Sequence, residues 1–154
     1  MQKEALDEPT DPGLTFEEIT REDCLSLLAR QVLGRVAVAD FNAAPHIVPV
    51  NFLLDGDAVV FRTGYGSKFR LAVLRGAPVS FEVDGVDPGQ RTGWSVLVQG
   101  SATELTADDA SRLRLEPWAP GLKSHWIRIA AESITGRRFR LTESRPWVDA
   151  HSYP

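Results

Sequence analysis

The sequence predicts a mainly β protein, six antiparallel strands closed or nearly closed into a barrel, with short helices between them. Three observations carry this reading. From Gly34 onward apolar residues recur with a period of two in short runs. Turn-forming clusters such as Asn42-Ala43-Ala44-Pro45 and Asp55-Gly56 separate those runs. Helical spacing is confined to brief stretches near residues 20–33, 68–75 and 106–109. Closure follows because it removes the exposed strand edges that invite aggregation.

In chain order, residues 1–13 hold Pro9, Pro12, Gly13 and little apolar content and read as a flexible arm. The folded domain is expected over 14–145, with 146–154 as a C-terminal tail. Thr20 followed by Asp23 has the form of a helix N-cap with an acid in the first turn. Leu25, Leu28, Ala29 and Val32 then extend one amphipathic helix to just before Gly34. Strands are expected at 35–39 and 45–54, and Asp55-Gly56 supplies the two-residue hairpin signal leading into a strand at 58–63. Gly64-Tyr65-Gly66-Ser67 breaks that strand, and 68–75 reads as a short helix closed by Gly76. Further strands are expected at 79–83 and 94–105. Thr106 opens a short helix, and 125–129 with 138–141 supply the last strand material. No repeat with a period of 20–50 residues is apparent.

Composition limits function. Of 154 residues, 43% are hydrophobic and 25% charged, the balance of a globular chain with a real core. The net charge of −4 argues against nucleic acid as a partner. Apolar runs are too short to span a bilayer, and the first residues lack the basic flank and apolar core of a signal peptide, so no membrane is expected. Cys24 is the only cysteine, which excludes an intrachain disulfide, suits a reducing cytoplasm and, in its apolar helical setting, reads as a buried packing residue. His46, His125 and His151 have no companions at ligand spacing, so no metal site is expected. No G-x-S-x-G element appears, and no catalytic residue can be named.

The segment richest in chemistry is Phe61-Arg62-Thr63-Gly64-Tyr65-Gly66-Ser67-Lys68, a strand running through a glycine-flexed turn into a helix start. Backbone N–H groups, a hydroxyl and an ammonium converge at such a junction, as a phosphate dianion requires. Arg62, Thr63, Ser67 and Lys68 are the candidate donors. The glycine spacing is neither that of a Walker loop nor that of a dinucleotide fingerprint. The partner strand, His46-Ile47-Val48-Pro49-Val50-Asn51-Phe52, is almost wholly apolar. Pro49 predicts a locally unpaired edge able to meet a flat heteroaromatic ring. Asn51 either faces that ring's polar edge or is satisfied by a neighbour within a buried strand. Trp94, Trp118, Trp126 and Trp147 read as core or subunit anchors. Arg137, Arg138 and Arg140 either neutralise a phosphate on a second subunit or lie solvated.

Together, Leu33-Gly34-Arg35-Val36-Ala37, residues 45–52, Val60-Phe61-Arg62-Thr63 with Gly66-Ser67-Lys68, residues 77–84 and residues 93–100 resemble the pyridoxamine 5′-phosphate oxidase-like proteins. The likeness is greatest to the short FMN-binding members common in high-GC Gram-positive bacteria, and it covers roughly 20–141. It implies a six-stranded antiparallel split β-barrel of the FMN-binding type, working as a homodimer with FMN at the interface. It implies that His46, Val48, Pro49, Val50 and Asn51 lie along the isoalloxazine, and that Arg62, Thr63, Ser67 and Lys68 hold the phosphate. Trp94 and Ser95 fall where family members contact the cofactor near the interface. Departures bear on the reaction. Phe69 stands where the oxidases proper have a second basic residue, Asn51 replaces a lysine, and Ile134-Thr135-Gly136-Arg137-Arg138-Phe139 lacks the histidine of their arginine-x-histidine element. These departures argue against oxidation of pyridoxamine phosphate. An FMN-dependent oxidoreductase of unknown substrate, a flavin-binding or sensing module without turnover, and the same barrel holding a deazaflavin or haem are the functions left open.

Overall fold

The computed structural model describes residues 13–39, 44–64 and 68–141. The expected arm, apart from Gly13, and the expected tail lie outside these residues, as do Ser67 and, of the turn expected at 42–45, Asn42 and Ala43.

The elements run β1 (Leu14–Ile19), α1 (Arg21–Leu28), β2 (Leu33–Val38), β3 (His46–Asp55), β4 (Ala58–Thr63), α2 (Lys68–Leu74), β5 (Val79–Asp87), β6 (Thr92–Glu104), α3 (Ala107–Ala110) and β7 (His125–Leu141). The strands hydrogen-bond in the order β1-β7-β4-β3-β2-β5-β6, and a further β6–β7 pairing closes the ring. Six antiparallel strands therefore form a closed barrel, as expected, and β1 is a seventh strand attached to it.

The length of β7 makes room for β1. Seventeen residues extend roughly 55 Å, enough for one edge to serve two partners. Residues from His125 to Ile129 pair with β4, residues from Gly136 to Leu141 pair with β1, and β6 runs along the opposite edge. The sequence shows this strand only as two pieces because its phase changes midway. Gln99 pairs with Ser133 but Gly100 with Ala131, so Glu132 is an extra residue, and burial switches from odd to even positions across it. Gly100 permits the bulge, since a Cβ there would sit 1.9 Å from the Ala130 carbonyl oxygen.

Two further boundaries differ from the sequence reading. Thr20 caps α1 as expected, accepting the Asp23 N–H, but the helix stops at Leu28. Arg30 and Gln31 donate to the Leu27 and Leu28 carbonyls in a tightened last turn, and the Val32 carbonyl is taken by the Phe52 N–H. Tertiary pairing to β3 thus outcompetes helix continuation. In the hairpin, Asp55 pairs with Ala58, so the two central residues are Gly56 and Asp57. Only Gly56 has positive φ, at 67°, where the expected turn needed two such residues.

The barrel interior is filled by Val36, Val38, Phe52, Val59, Phe61, Val79, Phe81, Val83, Val96, Val98, Ile127 and Ile129. Phe52 and Phe81 meet edge to face at 4.8 Å between ring centroids. Cys24 and Leu28 seal α1 onto the core with no exposure. Burial, aided by neighbouring Asp23, raises the Cys24 thiol pKa, consistent with a packing residue and not a nucleophile. No helix among the described residues is long and apolar enough to cross a membrane.

Candidate functional site

The site lies where two neighbouring strands separate. β3 and β4 pair from Asp55–Ala58 up to Phe52–Phe61 and then diverge. Beyond that point β3 stays with β2, from Leu33–Asn51 to Val38–His46, while Arg62 and Thr63 of β4 stay with Trp126 and His125 of β7. The edge of β3 facing away from β2 therefore has no ladder partner over 46–51 among the described strands. This is the local unpairing that Pro49 predicts.

Segment 111–124, between α3 and β7, borders the gap and is fixed there by side chains. The Asn51 amide donates to the Val32 carbonyl at 3.0 Å and accepts the Trp118 N–H at 2.8 Å. Arg62 donates through Nε to the Lys123 carbonyl at 2.8 Å and through Nη1 to the Leu115 carbonyl at 3.1 Å. Its guanidinium lies 5.1 Å over the Trp126 ring. These bonds satisfy loop carbonyls and an N–H that would otherwise be stranded near the protein interior.

The result is a cleft of about 260 Å³ lined by His46, Val48, Pro49, Val50, Asn51, Arg62, Thr63, Pro117, Ala119 and Lys123. One wall is an apolar strand, with Ile47 beside it 65% exposed. The other wall carries the cations, and no acidic residue is among those lining it. Such a cleft accepts a flat apolar body with an anionic end.

Of the residues expected to bind a cofactor, the structure brings together His46, Val48, Pro49, Val50, Asn51, Arg62 and Thr63. Asn51 takes the second of its two readings, with both ends of its amide satisfied by neighbours. Lys68 opens α2. Trp94 lines a different cleft of about 330 Å³ with Gly85, Asp87, Gly93 and Arg138, and Ser95 is exposed beside it on β6. In the closed ring β6 and β3 are three strands apart in either direction, so a single chain does not join these two groups. Arg137, Arg138 and Arg140 are exposed, in keeping with the solvated reading.

Sequence reasoning missed Pro117, Ala119 and Lys123. Their segment has no strand or helix period, and the only available signal was the scarcity of lysine, which occurs at positions 3, 68 and 123 alone.

A charged cluster flanks the site. Glu104 of β6 receives Arg70 of α2 at 3.0 Å and hydrogen-bonds His125, which pairs with Thr63. Burial would raise the Glu104 carboxyl pKa, but the hydrogen bonds from His125 and Arg70, with their charge, outweigh it and hold it below the ordinary value. At the far end of β3, Asp55 bridges Arg112 at 2.7 Å and also Arg128. The Arg112 hydrogen bond is the main cause that brings Asp55 down to about 2, against the opposing effect of burial. Among the described residues no group of three or more His, Cys, Asp or Glu converges to hold a metal ion.

A sequence profile of pyridoxamine 5′-phosphate oxidase matches residues 20–138. The chain belongs to this family. Relatives within or near it include the uncharacterized protein Rv0080 of Mycobacterium tuberculosis, 38% identical over 135 residues, which cover 83% of this chain and 88% of that protein. Among solved structures, the FAD-binding protein of Mycobacterium smegmatis is 36% identical, with a TM-score of 0.69 over 80% of this chain and 98% of its own. A conserved protein of unknown function from Corynebacterium diphtheriae, 33% identical, superposes with a TM-score of 0.66 over 80% of this chain and 98% of its own. The family's barrel and the one described here are the same fold.

Proposed function

We propose that the cleft between β3, β4 and segment 111–124 binds a flavin nucleotide, FMN in the first instance, and that the protein is a homodimeric flavin-dependent oxidoreductase acting on a small molecule. The observation that carries this reading is the cleft's composition. An apolar strand with one open edge faces a cationic wall, and no acid lies among the described lining residues. That donor set fits the flavin's two chemical parts. His46, Val48, Pro49 and Val50 would hold the ring, and Thr63, Ser67 and Lys68 would hold the phosphoryl group. When bound, the flavin supplies hydride or electron transfer. The chain's part is to bind, to orient and to exclude water, which requires no protein nucleophile.

The dimer is supported by size. A cleft of about 260 Å³ is below the usual range for a ligand of this class, and a second copy would complete the enclosure. Symmetric pairing is also the commonest assembly, and it would bring Trp94 and Ser95 of one copy toward the cleft of the other. A chain whose one cysteine is buried suits a reducing cytoplasm.

Two other readings have support. The M. smegmatis relative is FAD-binding, which makes FAD an alternative occupant. Commitment of Asn51 and Arg62 to backbone groups leaves few polar side chains for acid–base work, which favours a flavin-binding module without turnover. Titration of the purified chain with FMN and with FAD, followed by absorbance and flavin fluorescence, separates the first pair. Saturable binding of FMN is expected, and binding of neither nucleotide overturns the flavin reading. Reduction of the loaded protein by NADH or NADPH with a panel of acceptors, above the free-flavin background, is the result expected of an enzyme.

A further inference from the structure

We infer that Lys123 is a phosphoryl-binding residue of the cleft and that Arg62 is the positioning residue that delivers it. This rests on the flavin reading above and adds a residue from a distant part of the chain to the phosphate end of the site.

Three observations meet here. Lys123 is half-buried and lines the cleft beside Arg62 and Thr63. Its neighbour Leu122 places a carbonyl oxygen 3.4 Å from where a Cβ on Gly64 would stand. That puts residues 122–123 beside the end of β4. The register fixes this location, because His125, two residues further on, is paired with Thr63.

The third observation concerns Arg62. Its Nε and Nη1 donate to the carbonyls of Lys123 and Leu115, and its guanidinium is stacked on Trp126. Nε and one Nη1 hydrogen of its five N–H donors are thereby committed, so swinging the whole guanidinium onto a phosphoryl group would release two backbone carbonyls and leave the ring. Those carbonyls would then lack their partners, and that cost is comparable to the strength of the phosphoryl hydrogen bond formed in exchange. The Lys123 ammonium has no such obligation imposed by its own backbone, which Arg62 holds, and its flexible stem suits a point-charge contact with a dianion. A phosphoryl dianion brought into a half-enclosed cleft needs compensating charge, and Lys123 supplies it at the correct end.

The test compares FMN with riboflavin, which share the ring and differ by the phosphoryl group. For the unaltered chain, tighter binding of FMN is expected. Equal binding of the two would show that no phosphoryl subsite exists, which is failure of the parent reading. Given that preference, Lys123→Met should weaken FMN binding about tenfold or more while leaving riboflavin within about twofold, and Lys123→Arg should restore much of the loss. Equal losses for both ligands, or none, would overturn the assignment of Lys123. Arg62→Lys should weaken FMN binding, and Lys123→Met added to it should cost little more, since the two act in series. Additive losses would mean that Arg62 contacts the phosphoryl group itself. Lys123→Met removes none of the observed hydrogen bonds, so its melting temperature should match that of the unaltered chain, and it carries the test even where Arg62→Lys loosens the loop.

Discussion

The two sides of the barrel treat their polar side chains differently. On the β3–β4 side, Asn51 and Arg62 bond to backbone groups of an irregular segment. They hold open a cleft whose remaining charge is positive. On the β2–β5–β6 side, Arg35 of β2 bridges Glu82 and Asp84 of β5 at 3.2 and 2.7 Å on the outer face, and the β5–β6 ladder from Val79–Gly100 to Asp87–Thr92 runs unbroken. One side therefore uses its hydrogen bonds to support an opening, and the other uses them within a continuous sheet. The lesson is that a binding site can arise where a ladder stops, with side chains replacing the missing strand-to-strand bonds.

That contrast can be broken most severely at Gly100. Gly100→Ala forces a methyl group into the Ala130 carbonyl and should remove the bulge that lets β7 serve both sides. A loss of about 3 kcal/mol is expected, roughly 10 °C in Tm, measured by thermal melting. Second in size, replacing Ser67 and Lys68 together with alanine should lower FMN affinity by about a hundredfold and leave the melting temperature nearly unchanged. Equilibrium titration beside a melting curve checks both halves, and a preserved affinity would remove the phosphate turn from the site.

Glu104→Gln probes the junction of the two sides, because Glu104 belongs to β6 while Arg70 and His125 flank the cleft. A loss of about 1 kcal/mol is expected for this partly buried network, read from urea unfolding at neutral pH. The folded carboxyl has a lowered pKa, so its contribution is present above the ordinary carboxylate range and fades as the pH falls below it. The glutamine variant should accordingly lose least, relative to the unaltered chain, in acid. Asp55→Asn should have the smallest effect on the cleft. Its carboxyl lies at about 2 when folded against 3.8 as a reference. The stabilisation it gives is therefore complete above about 3.8 and disappears as the pH drops through about 2. Urea midpoints taken between pH 5 and pH 2 should fall less steeply in this variant, while its FMN affinity stays unchanged.

Much of this architecture was legible because the physics behind it is local. Thr20 and Thr106 announce their helices through side-chain caps, and β5 shows its inward face by strict alternation at Val79, Phe81 and Val83. Pro49 signalled the unpaired strand edge that became one wall of the cleft. What escaped depends on contacts between distant residues. β1 is mostly exposed and carries no clear period, and it becomes a strand only because β7 offers it an edge. β7 itself was hidden by the phase change at Glu132. Lys123 has no local pattern at all, and its place beside the cleft depends on contacts with residues far earlier in the chain, the pairing of His125 with Thr63 and the Arg62 bond to its carbonyl. Family resemblance placed Trp94 near the cofactor, whereas the single chain sets it on the opposite strand of the ring, a separation that only a second copy would bridge.

Amide and indole chemical shifts recorded while FMN is added to the isotope-labelled protein test the central claim most directly. The account predicts perturbations concentrated at Val48, Val50, Asn51, Thr63, Ala119 and Lys123, joined by the Trp94 indole from the partner subunit, with Glu17, Glu18 and Asp57 unmoved. Shifts confined to β1 and the stretch of β7 paired with it, or no saturable shifts at all, would contradict it.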